Sequence, residues 1–464
     1  MENIKRILLV VGVVCSISML VINESGVPIT LVNITHDLGL SLASEHWLVN
    51  AYVLSLACCL LPAGRIVHYF GCRKSNLFAY LIFIAASYLI AHATMLSIIL
   101  LSRILQGISA AVLINSNIWL INQYLTKQKM ISIVVIFTAS TLVITPILSG
   151  ALTQYFSWRW LFWLNIPLAL IALLCTWLYN AQDRNKPKLA RFRNLLLINT
   201  SLLCLTLAMM QIPQWGIFDP RILILLALAL FSLMLSIYAE RNTPATFIDL
   251  SILQHKQIVL ANVILIAAGF TMIAEVYWIL WLRRCMQFSP LMTGLALLPA
   301  LIPTLLIIPF SRKMTNLFGH ALPVIIGNIM AFLGMSLMMR VALLHTYEAL
   351  FPAILMYGFA PPLTFGPTIA MATQTTHTEQ QPLLSALAAY TSWQFGAALG
   401  IATMGWVLLS YIDTHPHHIS AIIAYSHGFV WSLLLPIMMS LFGLIASLMY
   451  WQQCPKQVSW LRQS

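Results

Sequence analysis

Long apolar runs, separated by short polar connections, make up most of the chain. A helix that crosses a bilayer needs about 20 consecutive apolar residues, and runs of this length recur along the whole sequence. The pattern predicts an all-α polytopic membrane protein of fourteen spans, six in each half and two between them. The predicted spans lie near residues 7–33, 47–67, 76–94, 96–121, 130–153, 160–180, 195–213, 220–239, 257–280, 291–310, 321–342, 349–372, 384–410 and 427–450.

The composition agrees with this interpretation. Hydrophobic residues make up 60% of the chain and charged residues only 8%, and the mean hydropathy is +0.89. A soluble fold cannot hide so much apolar surface, whereas a membrane protein exposes it to the lipid bilayer. The first run, residues 7–22, resembles a signal peptide, but no small-residue cleavage site follows it. We therefore expect this run to be the first span, retained in the protein.

The net charge of the chain is +12. The positions of the Lys and Arg residues indicate which kind of partner this charge suits. Most Lys and Arg residues lie in short connections on one side of the predicted membrane, so we expect no nucleic-acid partner. The positive-inside rule then places both termini in the cytoplasm of a multi-pass protein of the bacterial inner membrane. The same sidedness would result from twelve spans, because removing the middle pair does not change it.

Two polar stretches flank the middle pair of spans. A basic linker follows residue 180, and a second polar segment ends near residue 256. The sequence therefore predicts an N-terminal six-helix bundle in residues 1–180, a linker with two extra transmembrane helices in 181–256, and a C-terminal six-helix bundle in 257–464.

Arg103 is the most unusual residue of the predicted spans. A guanidinium near the bilayer centre costs roughly 2.5–3.5 kcal/mol on insertion scales, so such a residue normally faces a watery cavity or a partner. The alternative is a side chain that reaches back to the cytoplasmic headgroups. Gln106 and Asn117 fall near the same helix face and are candidate cavity-lining residues. Helix packing through Gly107 and Ala110 is the other interpretation of this face.

Only two of the 12 acidic residues fall inside the predicted spans. Glu24 follows Asn23 in the outer half of span one, near Gly26 and Pro28, which should loosen the helix. A proton or cation site and a carboxylate at the outer water interface are equally compatible with this position.

Glu275 lies deeper, and Trp278 shares its helix face. A carboxylate beside aromatic rings suits lipophilic cations, so a proton or substrate site is favoured here. The alternative is an outer aromatic belt, and we expect Trp281 to belong to one. In the thirteenth span, Gln394 is a candidate for substrate contact, although the small residues after it are more typical of helix packing.

A basic turn follows the second span of each half. Residues 64–74 read GRIVHYFGCRK and residues 312–320 read RKMTNLFGH. Two such weakly repeated halves, rocking around a cavity near the midplane, are a known transporter design. In these turns the basic residues are expected to reach neighbouring helix ends and hold the inner face closed.

Several short motifs occur in an order that is specific to one family. The motif residues are Gly64, Arg65, His68, Gly71, Arg73 and Lys74 in the turn after span two, Arg103, Gln106 and Gly107 in R-x-x-Q-G, and Thr145, Pro146, Ser149 and Gly150 in span five. By these motifs the chain resembles the major facilitator superfamily, and within it the fourteen-span drug:proton antiporters, whose gating turn and antiporter motif G-P-x-x-G-G lie at the first and third of these positions. Residues 46–52, 157–160, 165–167, 289–290 and 294–299 continue the resemblance.

The resemblance implies a secondary active transporter that exports amphipathic organic compounds or drugs in exchange for protons by alternating access. A periplasmic adaptor is a further candidate partner. The sequence departs from the family where His68 replaces an acid, where Asn23 replaces an Asp, and where Thr145 and Ser149 replace glycines. Two alternatives therefore stay open: a carrier for a defined metabolite such as a siderophore, in either direction, and a non-transporting receptor or partner subunit.

Other chemistries leave no pattern in the sequence. No Walker motif or catalytic triad setting is present, so we expect neither ATP-driven transport nor an enzyme. The eight cysteines show no metal-ligand spacing, and no cofactor motif occurs. Residues 413–418 contain three histidines, but their irregular spacing favours a solvated loop over a metal site.

Overall fold

The computed structural model describes residues 2–124, 128–179, 193–241, 256–344, 346–373, 381–414 and 421–453. Over these residues the regular structure is entirely helical, as predicted. The predicted histidine loop after Thr414, most of the basic linker and most of the second polar stretch lie outside the described residues.

The helices are numbered here in chain order. They are α1 Glu2–Val21, α2 Val27–Asp37, α3 Leu42–Phe70, α4 Cys72–Ala91, α5 Leu96–Tyr124, α6 Gln128–Tyr155, α7 Arg159–Tyr179, α8 Arg193–Trp215, α9 Pro220–Arg241, α10 Lys256–Met272, α11 Ala274–Arg284, α12 Pro290–Ala296, α13 Leu298–Phe318, α14 Ala321–Val341, α15 Tyr347–Gly358, α16 Ala360–Thr373, α17 Gln381–Thr414, α18 Ala421–Ser432 and α19 Leu434–Gln452.

The number of membrane spans is twelve to thirteen by helix length and apolar composition. Twelve candidate spans occur among the described residues, and α12 with α13 would make a thirteenth if this bent pair is one span. The fourteenth position is taken by a shorter apolar helix, Leu196–Ile212. The predicted membrane protein is confirmed, whereas the count of fourteen is not.

The chain divides into two compact units. The first comprises Met1–Ala190 with Gln287–Ala296, and the second comprises Arg191–Met286 with Leu297–Ser464. The three-part division into residues 1–180, 181–256 and 257–464 stays a prediction.

Span one of the first unit contains a π-helical turn, Ile22–Gly26, between α1 and α2. Pro28 follows at the start of α2 and has no N–H to donate, so the regular ladder cannot continue unchanged through this point. Single π turns inside α-helices are frequent at functional sites. Here the turn contains Asn23 and Glu24.

The gating turn is almost entirely helical. Gly64, Arg65 and His68 lie in the last turns of α3, because that helix continues three residues beyond its predicted end. Gly71, with φ of 91°, separates α3 from α4. In the second unit Gly319, with φ of 80°, ends α13 in the same way. A positive φ is unstrained only for glycine, so both halves use one turn geometry.

Three predicted spans of the second unit are interrupted, with breaks at Ile273, Phe359 and Leu433. Interrupted helices at membrane depth are tolerated where the backbone is buried in protein or lines a cavity. The core of this unit packs α10 against α16, α17 and α19, through residues such as Leu265 and Trp393.

The middle pair of helices belongs to the second unit. Ile212 of α8 and Ile222 of α9 form a small apolar cluster, against which Trp406 of α17 packs. Most other side chains of α9, such as Phe231 and Met234, are exposed, as expected for a helix that faces lipid.

Candidate functional site

The π turn of span one brings Asn23 to Arg103. Asn23 is fully buried, and Arg103 on α5 is only 2% exposed. Arg103 Nη1 donates a hydrogen bond of 2.6 Å to Asn23 Oδ1. A π-helical turn changes the hydrogen-bond spacing of the helix and so rotates its side chains relative to a regular α-helix. Here the turn directs the Asn23 side-chain amide toward α5.

Three further contacts hold the guanidinium. Nε donates to Leu48 O of α3 at 3.0 Å, and Nη1 also donates to Gln106 Oε1 at 3.2 Å. The guanidinium carbon lies 4.5 Å from the centre of the Tyr52 ring, within cation–π range. Gln106 is itself anchored, because its Nε2 donates to Ser87 Oγ at 2.9 Å.

Arg103 therefore lies in the packed interior of the first unit. Its partners from span one, α3 and α5 replace the water that a guanidinium loses on burial. Glu24 is half-buried, and its charge acts on Arg103. The structure thus brings Arg103, Asn23, Gln106 and Glu24 into one neighbourhood.

The antiporter motif supports the same turn of span one. Ser149 Oγ donates to Gly26 O at 2.6 Å, which satisfies a carbonyl at the end of the π turn. A Cβ on Gly150 would overlap Pro290 O, and a Cβ on Gly294 would overlap Pro146 O. Close packing of α6 against α12 thus requires both glycines. Thr145 turns inward and donates to Thr141 O in its own helix at 2.7 Å.

Asn117 lies apart from this neighbourhood. It is about four turns further along α5 than Arg103, and its Nδ2 donates to Ser16 Oγ of α1 at 2.9 Å. The structure does not bring it together with the other residues of the predicted polar face.

The charged residues of the gating turn divide into buried and exposed side chains. Arg65 is 6% exposed, whereas His68 and Lys74 are exposed. Arg73 Nη2 donates to Trp177 O at 3.1 Å, in the last turn of α7. This contact is of the kind expected for basic side chains near helix C-termini.

Glu275 occupies the first turn of α11 in the second unit, directly after the break at Ile273. The residue is half-buried. Trp278 is 1% exposed and meets Tyr357 edge to face, with the ring centres 4.7 Å apart. Among the described residues no group hydrogen-bonds to Trp278 Nε1. The site thus combines one acid with two aromatic rings.

The expected aromatic belt at Trp281 is wrong. Trp281 is 1% exposed, and its Nε1 donates to Ser426 Oγ at 3.0 Å. The α11 helix is buried on several sides, so its aromatic residues pack inside the protein. Gln394 is also fully buried, and its Nε2 donates to Tyr390 Oη at 3.1 Å. The structure does not bring Gln394 together with Glu275.

Comparison with known proteins decides the family. The sequence profile of the Major Facilitator Superfamily matches residues 13–401. The chain belongs to this superfamily.

Several relatives of this major facilitator are named for resistance or export. The tetracenomycin C resistance and export protein of Streptomyces glaucescens is 26% identical over 69% of this chain and 60% of its own length. The puromycin resistance protein pur8 of Streptomyces alboniger is 28% identical, covering 84% and 79%. The multidrug resistance protein Stp of Mycobacterium tuberculosis is 23% identical, covering 89% and 78%. The chain spans less than two thirds of the first of these.

Solved structures support the facilitator fold. An auto-inhibited peptide transporter of the POT family superposes with a TM-score of 0.67 at 15% identity, covering 96% of both chains. The nucleoside transporter NupG superposes with a TM-score of 0.65 at 11% identity. At these identities the likeness concerns the fold alone.

One buried acid of this facilitator lies outside the predicted spans. Glu45 is 1% exposed in the first turn of α3, which begins five residues before its predicted start. Thr35 Oγ1 lies 3.1 Å from Glu45 Oε1. Helical spacing places Glu45 on the same face as Leu48 and Tyr52, and this shared face is the sequence signal that the span prediction missed.

Replacing Gly107 by alanine is expected to destabilise the facilitator. A Cβ at this position would overlap Ser55 Oγ and lie 2.5 Å from Tyr52 O, so α3 and α5 would have to separate. Overpacking of this kind typically costs about 1–3 kcal/mol. Thermal unfolding of purified protein in detergent measures the loss. Gly366→Ala is the matched control, because no atom lies within 4 Å of its Cβ position. Equal stability of the two variants would contradict the close approach.

Proposed function

We propose that this major facilitator exports amphipathic organic compounds, drugs among them, across the bacterial inner membrane in exchange for protons. The observation that carries the proposal is the Glu275 site. A carboxylate beside Trp278 and Tyr357 offers charge and cation–π attraction to a lipophilic cation. The same carboxylate, partly removed from water, is able to bind a proton instead.

Proton and substrate then compete for one carboxylate, which is the simplest basis for exchange. Alternating access supplies the second requirement, since the site must face each side of the membrane in turn. The names of the relatives support the direction of transport. In the first unit, Arg103 and its neutral partners hold span one, α3 and α5 together. Glu24 is a second acid, besides Glu275, that is able to bind a proton.

The proposed orientation places both termini in the cytoplasm, following the distribution of Lys and Arg. The small-molecule substrate then leaves toward the periplasm, where an adaptor protein is a proposed partner. Spans α8 and α9 stand as an inserted pair beside the C-terminal helices.

A second candidate function is transport of one defined metabolite, such as a siderophore, in either direction. The replacement of the usual acids by Asn23 and His68 favours it, since proton coupling by the family's residues is then weakened. A receptor or subunit that transports nothing is the third candidate. It predicts that substitutions at Glu24, Glu275 and Arg103 leave every transport assay unchanged.

Everted membrane vesicles with an imposed pH gradient test the proposal. Acidifying the vesicle lumen is expected to drive uptake of ethidium, a lipophilic cation, and dissipating the gradient with a protonophore should stop it. Vesicles without the protein are the control. Two results together would replace the proposal by the second candidate. Ethidium uptake would not respond to the pH gradient, and a wider screen would find uptake of a metallophore. No uptake of any compound would favour the third.

Changing His68 to aspartate is expected to flatten the dependence of transport on internal pH between 5 and 7. Partial burial lowers the pKa of the His68 imidazole below its ordinary value of about 6.5, so its charge changes in the acidic part of the physiological range, whereas an aspartate stays ionised there. The turn of the second unit contains His320, whose pKa is lowered by burial in the same way. Initial efflux rates at clamped internal pH measure the effect. An unchanged pH profile in His68→Asp would contradict the role of this residue in the turn.

A further inference from the structure

A cavity lies inside the first unit, away from the residues around Arg103. It is bounded by α1, α4, α5 and α7, and its lining includes Gly12, Tyr80, Asn117, Cys175 and Thr176. The centre of a water molecule has about 10 Å³ available there, which is close to the smallest space that holds one ordered water.

Asn117 contributes a polar atom without a protein partner to this cavity. The side chain is 3% exposed, and its Nδ2 donates a hydrogen bond to Ser16 Oγ. No described residue donates a hydrogen bond to Asn117 Oδ1. A buried carbonyl oxygen left in this state is destabilising, and in folded proteins such atoms are usually satisfied by protein or by an internal water.

Other hydroxyl groups on the cavity wall supply further partners. Tyr80 is 1% exposed, and its hydroxyl is in hydrogen-bond contact with Ser16 and Thr176. Thr176 Oγ1 donates to Ala172 O at 2.8 Å and accepts from Tyr80, so one lone pair remains available as an acceptor. A water that donates to Asn117 and to Thr176 therefore has two partners, the minimum for an ordered internal site.

The tight approach of α1 and α7 explains why the α1 position that faces Cys175 is a glycine. A Cβ on Gly12 would lie 2.9 Å from Cys175 Cβ. Glycine at this position keeps the helices close, and it leaves the polar groups behind it uncovered.

We propose that this cavity is a water-binding site, in which one ordered water joins Asn117 Oδ1 to Thr176 Oγ1. With Ser16 and Tyr80, the water completes a hydrogen-bonded ring through α1, α5, α7 and α4. Hydrogen bonds between polar side chains stabilise helix contacts inside a membrane bundle, so the ring ties four helices together. The site is independent of transport and of the proposed substrate.

Radiolytic footprinting of the full-length protein in detergent and H₂¹⁸O tests the proposal. An internal water yields hydroxyl radicals in place, so Tyr80 is expected to be oxidised with ¹⁸O incorporation. Tyr450 is the control, because it is equally buried at 2% exposure and does not line the cavity. If Tyr80 is as protected as Tyr450, the cavity holds no water and the proposal is overturned.

Variants then place the water. Asn117→Leu removes the acceptor and fills the space, and Thr176→Val removes the hydroxyl at constant shape. Each is expected to abolish the excess oxidation of Tyr80. Ser109→Ala is the matched control, since Ser109 is also buried on α5 but donates to Leu105 O of its own helix. Should Asn117→Leu fail to fold, Thr176→Val carries the test alone. Undiminished oxidation in the variants that fold would overturn the assignment.

Discussion

Replacing Arg103 by alanine is expected to abolish transport and to lower the stability of the first unit. The substitution leaves Asn23 Oδ1, Gln106 Oε1 and Leu48 O without their donor. Hydrogen bonds from charged donors contribute roughly 1.5–3 kcal/mol each, and three buried acceptors lose theirs at once. Lysine at this position should restore only part of the loss, because an ammonium cannot reproduce the guanidinium fork.

Two measurements on the same variants separate the two effects. Thermal unfolding in detergent reports the packing of the first unit, and ethidium efflux from cells at matched expression reports transport. Arg340→Ala is the control, because this basic residue of α14 is exposed. An Arg103→Ala protein that exports at the normal rate would refute the central role of this contact.

Neutralising Glu275 as glutamine should uncouple transport from the pH gradient while leaving the fold intact. The amide keeps the size of the side chain but cannot take up or release a proton. Gradient-driven ethidium uptake into everted vesicles is expected to be lost. Exchange of a neutral amphipathic compound at equal pH should continue, because binding beside Trp278 and Tyr357 needs no charge in that case.

The Glu275 prediction has a close internal control. Glu348 also lies in the first turn of a helix, α15, but its side chain is exposed, so Glu348→Gln should behave like the wild type. Glu275→Asp should retain part of the coupling, since it keeps the carboxylate one methylene further from the rings. Equal coupling in Glu275→Gln and Glu348→Gln would exclude Glu275 as the proton site.

The apolar periodicity was sufficient to predict the helices, because lipid exposure requires long uninterrupted apolar runs. Helical spacing also correctly associated Arg103 with Gln106, which are one turn apart on α5. Spacing within one helix says nothing about partners on other helices, however. The bond between Arg103 and Asn23 therefore required the structure, and so did the contact with Leu48 O.

Helix ends and interruptions were harder to predict. The sequence placed Glu45 in a connection, because a charged residue lowers the apolar score of any window that contains it. Burial of Glu45 beside Thr35 extends α3 beyond that window. The break at Leu433 precedes Pro436, which cannot donate to the carbonyl of Ser432. No proline lies in the turn after Ile273, so no local pattern marked that break.

The bond between Arg103 and Asn23 differs in one respect from an ion pair with a carboxylate. A carboxamide neither ionises nor neutralises at any pH the cell reaches, so an acid or alkaline compartment leaves this link unchanged. In the proposed proton exchange, protonation therefore falls to carboxylates such as Glu24 and Glu275. The Asn23 amide holds span one to Arg103 in the same way in every protonation state of those acids.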